Sequence, residues 1–466
     1  MSMAGVDAPS LRDVVAQKNA PRSFYDRDTA LRFTDLARGT SFGDGLRALA
    51  GRSVLLATAS QLTSALALIE LEGLARRIVI LPPDADPAHL SAIVSMAGID
   101  GAVIDDGTPS GDALDGLARV HCRPAIAPMA DNLPPRLRTE WVMMTSGTTG
   151  VPKMVVHDLA TLTTALQAPS PADGADVWGT FYDIRRYGGL QIYLRAVCGG
   201  ASLVLSSAGE PVADHLARLA GQGVTHLSGT PSQWRRALMM VPAIEAIAPR
   251  YVRLSGEIAD QAVLDSLRAA FPDVTVGHAY ASTEAGVAFD VNDGLAGFPT
   301  DYIGTVRNGV GMKILDGTLR IRSRGAAKGY VDGEPLLDAA GFVDTGDIVE
   351  RHGERFHFAG RKGGIINIGG LKVHPEEIEA VINRHPCVRM SLVRGRQNPV
   401  TGSIVVADVV LKGEGQAPGK SPQQLALKDD ILKHCRETLP RHKVPAAISF
   451  VPALKVAATG KLVRRQ

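Results

Sequence analysis

Short apolar runs rich in Val, Ile and Leu alternate with longer stretches of helical spacing through about the first 300 residues, and this alternation restricts the fold more than any other feature. Residues 53–57 and 77–81 read as buried strands, with 62–75 helical between them. The runs 101–104, 201–205, 225–227 and 251–254 repeat the signal. Strands separated by helices predict parallel sheets covered by helices. After about residue 300 the pattern changes. Segments 303–314, 318–322, 342–349 and 355–359 read as short strands between Gly-rich turns, a smaller β-rich submodule. The stretch Gly360-Arg361-Lys362-Gly363-Gly364 marks a domain boundary. Beyond it, helix 375–383, strands 388–395 and 403–411, helix 422–438 and strand 447–450 read as an α+β unit. The expected class is therefore α/β: a large N-terminal domain of helix-covered β-sheets over 1–360, followed by a small α+β C-terminal domain over 365–466.

Four motifs carry chemistry. An apolar strand at 141–144 leads into Thr145, Ser146, Gly147, Thr148, Thr149 and Gly150, and Lys153 closes the loop. Glycines let backbone N–H groups turn toward an anion, hydroxyls add donors, and the lysine neutralises phosphate charge. The spacing is not that of a Walker A loop. A polar surface turn is the plain alternative, but it does not explain so many donors directly after an apolar strand. In Tyr280-Ala281-Ser282-Thr283-Glu284, the aromatic face suits a purine and the carboxylate suits a hard cation bridging phosphates. Asp347 closes Asp344-Thr345-Gly346-Asp347, and one carboxylate can accept from two hydroxyls. Ala458-Thr459-Gly460-Lys461 places a cation near the end of the chain.

Taken in order, these motifs resemble the adenylate-forming superfamily of acyl- and aryl-CoA ligases, peptide-synthetase adenylation domains and luciferases. The resemblance runs from Thr145 to Lys461. It implies that Thr145–Lys153 holds ATP phosphates, Tyr280 stacks on adenine, Thr283 contacts the α-phosphate and Glu284 helps hold Mg²⁺. Ser255, Gly256 and Glu257 would pack on the other face of the base, with His278 and Ala279 beside it. A buried, satisfied histidine is the alternative for His278. Asp347 and Arg361 would bind the ribose. Lys461 would reach both the carboxylate and the α-phosphate, since a cation between two anions stabilises their approach. Gly369 and Gly370, with Lys372 beside them, would approach the thiol of CoA. Residues 361–364 would be a hinge about which the small domain moves. The family usually carries Asp or Lys where this chain has Gly363, and Gly where it has Ala281. Glu376 and Glu377 follow Pro375 at a helix start, which explains them structurally.

The acyl pocket implied by the resemblance draws on residues 178–196, with Tyr182, Asp183, Tyr187 and Gly188 as lining residues. Tyr182, Tyr187 and Tyr193 suit an aromatic acid. Arg185 and Arg186 read as a solvated turn, with contact to a second substrate carboxylate as the alternative. The expected activity is an ATP-dependent acid–thiol ligation of an aryl or medium-sized acyl acid, with Mg²⁺ as cofactor and ATP and CoA as substrates. A carrier-protein phosphopantetheine is the alternative acceptor, and a catalytically inactive nucleotide-binding regulator is the alternative of another class.

The formal charge is +2, from 50 basic and 48 acidic residues, so nothing favours nucleic acid or an anionic membrane as partner. Polar residues interrupt the apolar stretch 54–75, which fits a buried helix better than a membrane span. Cys122, Cys198, Cys387 and Cys435 are too far apart for a redox pair or zinc knuckle, and with no visible signal peptide they suggest a cytoplasmic enzyme. A homodimer stays open.

Overall fold

The computed structural model describes residues 9–16, 22–108, 114–129, 134–145, 151–166, 176–368, 371–398, 402–412, 421–457 and 461–463. Three sheets build the large part of the molecule. The first has eight strands, in the order Gly286–Val291, Thr275–Ser282, Tyr251–Ser255, His226–Gly229, Val177–Thr180, Ser202–Val204, Ser23–Tyr25 and Ala30–Arg32. Its middle pairings, from Thr275–Ser282 to Ser23–Tyr25, are all parallel. The second has seven strands, and its Gly101–Ile104, Ser53–Leu56, Arg77–Ile80 and Glu140–Thr145 strands run parallel to one another. Between these two sheets lies the Gln61–Leu71 helix. All of its residues are buried, which is why polar and apolar side chains alternate along it without a solvent face.

The β-rich submodule is a six-stranded antiparallel sheet over 298–361. The single strand expected over 303–314 is a hairpin. Val306–Arg307 and Val310–Leu315 pair around Asn308-Gly309, both at positive φ, the backbone a tight two-residue turn needs. The last strand, Arg355–Arg361, runs through the Gly-Arg pair, and Lys362–Gly364 then form a single 3₁₀ turn. The C-terminal unit has Val388–Asn398, Gly402–Leu411 and Ala447–Phe450 in one sheet, with the Pro375–Ile382 and Pro422–Thr438 helices. No helix among the described residues is long and apolar enough to cross a membrane.

Trp141 anchors the core between the sheets. It is fully buried, and its indole N–H donates to the Glu72 carboxyl, which burial pushes up to about 7. Trp141→Ala is expected to cost about 3–5 kcal/mol, because it opens a cavity and strips Glu72 of its donor. The denaturant midpoint of unfolding measures this.

Candidate active site

In parallel sheets, ligands bind beyond the carboxyl ends of the strands. Four neighbouring strands of the first sheet end on the same edge. They deliver Phe181-Tyr182, Thr230, Ser255-Gly256-Glu257 and Thr283-Glu284 to one cleft. The Tyr182 hydroxyl donates to the Ser255 carbonyl at 2.8 Å and lies 2.9 Å from its Oγ. Burial raises its pKa, so it stays a neutral donor.

Tyr280 is locked in place. Its hydroxyl donates to Asp347, and its ring lies nearly parallel to Phe358 (5.0 Å, 10°) and Phe289 (5.7 Å, 18°). Arg361 Nε donates to the other Asp347 oxygen at 2.8 Å, and the Asp347 N–H donates to Thr345 Oγ1 at 3.1 Å. The Asp347 carboxylate raises the pKa of Arg361 by direct attraction. His278 donates from Nε2 to the Leu295 carbonyl at 3.0 Å, and burial lowers its pKa. The chain itself thus satisfies one ring nitrogen of His278.

Thr283 rests on a residue that sequence reasoning missed. His157 Nε2 donates to the Thr283 carbonyl at 2.7 Å, and its Nδ1 lies 3.0 Å from Thr161 Oγ1. Desolvation lowers the His157 pKa to about 4, so the ring is neutral. A histidine in the apolar strand Lys153–Asp158 carries no local signal of this role. Glu284 bonds through its carbonyl to Ala327 N–H at 2.9 Å. Among the described residues its carboxylate has no hydrogen-bond or ion-pair partner.

Thr145 and Lys153 face each other across the hairpin that carries the expected phosphate loop. Ser146, Gly147, Thr148, Thr149 and Gly150 lie outside the described residues, as do Gly369 and Gly370. Lys153 is exposed and pairs with Glu334 at 2.6 Å, with its ammonium 4.8 Å from the Tyr330 ring centre. Lys372 is exposed. Gly363 is exposed with negative φ, and a Cβ there would meet nothing within 4 Å.

Lys461 reaches the same cleft from the C-terminal unit. Its hairpin is closed by Ala457 N–H to the Lys461 carbonyl (2.8 Å) and Val463 N–H to the Lys455 carbonyl (3.0 Å). The residue is exposed, and its side chain passes Gly256. Loss of bulk water lowers its pKa, Arg361 and Arg186 push the same way, and Glu257 and Asp347 oppose them.

The solvated-turn reading of Arg185 and Arg186 is corrected. Arg185 is buried, forks onto Asp183 (2.9 and 2.6 Å), and donates to the Thr58 and Ala59 carbonyls at 2.5 and 3.0 Å. Asp183 is therefore committed to Arg185. Arg186 pairs with Asp84, and its Nε is buried without a partner among the described residues.

The chain therefore brings an aromatic–carboxylate–guanidinium set, an uncommitted carboxylate and the C-terminal Lys461 to one cleft. The AMP-binding enzyme family profile matches residues 78–331, and that of the AMP-binding enzyme C-terminal domain matches 377–461. The chain belongs to the AMP-binding enzyme family. A 2-succinylbenzoate–CoA ligase of Salmonella typhimurium is 28% identical over 384 residues, covering 80% of this chain and 77% of that protein. A probable 2-succinylbenzoate–CoA ligase of Mycobacterium tuberculosis is 30% identical over 336 residues, covering 69% and 82%. A benzoate CoA ligase structure from Burkholderia xenovorans superposes with a TM-score of 0.78 at 21% identity, covering 97% and 98%. This AMP-binding enzyme thus has the fold of adenylate-forming ligases along nearly its whole length.

The buried His157 gives the enzyme an acid limit. The unfolded chain takes up a proton as pH falls through 6.5, and the folded ring resists until about 4. Stability is therefore full above pH 6.5 and declines from there to 4, by about 3 kcal/mol in all. His157→Gln is expected to flatten this decline, as read from Tm across that pH range.

Proposed function

We propose that this cleft converts an aromatic carboxylic acid bearing a second anionic group into its adenylate, then transfers the acyl group to CoA. The enzyme is an AMP-forming, ATP-dependent acid–CoA ligase. The observation that supports the residue roles is the meeting of Asp347–Arg361, Glu284 and Lys461 at one strand edge. In the first half-reaction a carboxylate oxygen attacks the α-phosphorus and pyrophosphate leaves. Both reactants are anions, so Lys461 stabilises the transition state by lying between them, and the rest is positioning. Asp347 keeps lone pairs beyond those used by Tyr280 and Arg361, enough to accept from ribose hydroxyls. Tyr280 serves the base, Thr283 the α-phosphate, and Thr145 with Lys153 and the loop between them the leaving phosphates.

The uncommitted Glu284 carboxylate fits Mg²⁺, which takes one or two carboxylates and completes its shell with phosphates and water. Among the described residues no cluster of three or more His, Cys, Asp or Glu side chains could hold a metal alone. When bound there, the ion would offset phosphate charge.

In the second half-reaction the thiol attacks the acyl carbonyl and AMP leaves. Residues 365–466 would turn about 361–364, withdrawing Lys461 and bringing in Gly369, Gly370 and Lys372. Gly363 spends none of its conformational freedom in the present arrangement, which leaves that freedom for the other one.

Arg195 defines the acid. It lies on the Tyr187–Gly199 helix, and its Nε and Nη2 are buried without a hydrogen-bond partner among the described residues. Desolvation lowers its pKa to about 10, and Arg253 adds to the effect. Arg253 is buried and already paired with Asp290. The pocket thus holds two guanidinium groups against one carboxylate. A buried, uncompensated cation is costly unless a ligand supplies the counter-charge. Tyr187, two helical turns earlier, feels both Arg195 and Glu284, so Arg195 lies about 12 Å of helix rise beyond the reacting end. Two of the relatives named above are named for 2-succinylbenzoate, an aromatic acid with two carboxyl groups, and the third for benzoate, which has one.

Acid-dependent pyrophosphate exchange with matched aryl monoacids and diacids tests this. Diacids are expected to win by about 10- to 100-fold in kcat/KM, and Arg195→Met to erase that preference while leaving KM for ATP unchanged. Equal use of both acid types would remove the second anion from the proposal and leave the ligase. Offering CoA and a holo carrier protein with the preferred acid decides the acceptor.

A further inference from the structure

The Ser255-Gly256-Glu257 turn joins the two parts of the molecule. Glu257 Oε2 accepts from the Ser232 N–H at 2.9 Å, which fixes the carboxylate within the large domain. Its Oε1 accepts from the Leu462 N–H at 3.0 Å. Leu462 directly follows Lys461 and pairs with Val456 across a narrow hairpin. Holding the Leu462 amide therefore holds the Lys461 backbone within one planar peptide unit. Gly256 adds the steric half of the contact. Its φ is +84°, and a Cβ there would lie 3.5 Å from Lys461 Cε. The lysine stem thus passes over bare backbone. Three residues on, Asp260 Oδ2 accepts from Asn383 Nδ2 at 3.2 Å, while Arg235 binds it on the large-domain side at 2.5 Å.

We propose that Glu257 is a latch that holds Lys461 in position for adenylation, and that its release accompanies the passage to thioester formation. This rests on the ligase reading above. Glu257 is a positioning residue: it acts on the reaction through the Leu462 amide rather than by touching the acid. The bond is charge-assisted, and it must break if Lys461 is to leave the cleft. Its loss should therefore separate the two half-reactions, slowing the first without slowing the second. A contact to adenine would behave differently, since its loss would raise KM for ATP.

The test measures the half-reactions apart. Acid-dependent pyrophosphate exchange reports adenylation, and supplied acyl-adenylate with CoA reports thioester formation. Glu257→Ala is expected to lower kcat for exchange about tenfold or more, with KM for ATP nearly unchanged and thioester formation equal to or faster than wild type. Glu257→Gln, which keeps one carbonyl acceptor, should fall between. Equal loss in both half-reactions, or a change confined to KM for ATP, would overturn the latch. A second readout needs no substrate: the spin-label distance between the large domain and the C-terminal unit. Glu257→Ala should broaden that distribution in the free protein, and Asn383→Leu should do so more weakly. Unchanged distances in a folded Glu257→Ala protein would overturn the latch even if the ligase reading stood. A wild-type enzyme with no acid-dependent exchange but a broadened variant would sink the ligase reading, and with it the latch's role in adenylation, and leave Glu257 only as a tie between the two units.

Discussion

One carboxylate, Asp347, ties the cleft together. It binds Tyr280 from the eight-stranded sheet and Arg361 from the end of the six-stranded sheet, and it stands on the latter sheet itself. Arg361 is also the last strand residue before the Lys362–Gly364 turn. The same group therefore joins two sheets and the junction to the C-terminal unit. Its charge has consequences on all sides. It raises the pKa of Arg361 and, after desolvation, that of Tyr280, and it offsets part of the loss of solvation at Lys461. The cleft is thus charged and aligned before any ligand arrives, which is the condition for electrostatic stabilisation without reorganisation.

The fold was legible where burial imposes a period. Strand 101–104, helix 422–438 and strand 447–450 are observed with the limits their apolar spacing implies. Segment 303–314 misled because its alternation is continuous across the Asn308-Gly309 turn, and the two halves fold back on each other. The site was legible as motifs and much less as contacts. Asp183-Ile184-Arg185-Arg186 looks like a polar turn because local sequence is all that spacing can weigh. The partners that bury Arg185, the Thr58 and Ala59 carbonyls, arrive from another sheet. Glu257 and Leu462 are likewise distant in sequence, and nothing near either announces the other.

Arg185 and Arg195 illustrate how the same residue type is treated in two ways. Arg185 is surrounded by acceptors: two carboxylate oxygens and two carbonyls. Its charge is spent inside the protein, so it fixes the start of the Tyr187–Gly199 helix and has little left for a ligand. Arg195 stands on that helix with two buried N–H-bearing nitrogens unmatched and a second guanidinium nearby. Removing a partner from a buried charge costs far more than forming the pair gains. A fold that keeps such a group unmatched gives up stability, which the second anion of the proposed acid would restore.

The seam between the two parts follows a related logic. The apolar cluster of the C-terminal unit lies wholly within residues 366–450, and the other clusters lie wholly before it. Among the described residues no apolar cluster spans both. Two hydrogen bonds that cross go to carboxylates, from the Leu462 amide to Glu257 and from Asn383 to Asp260. Water can replace such bonds at small net cost, whereas exposing an apolar face would cost roughly 25 cal/mol for each Å². The proposed rotation of the small unit would therefore trade polar contacts for hydration and leave both cores intact. That balance suits the proposed latch, in which Lys461 is held for one step and let go for the next.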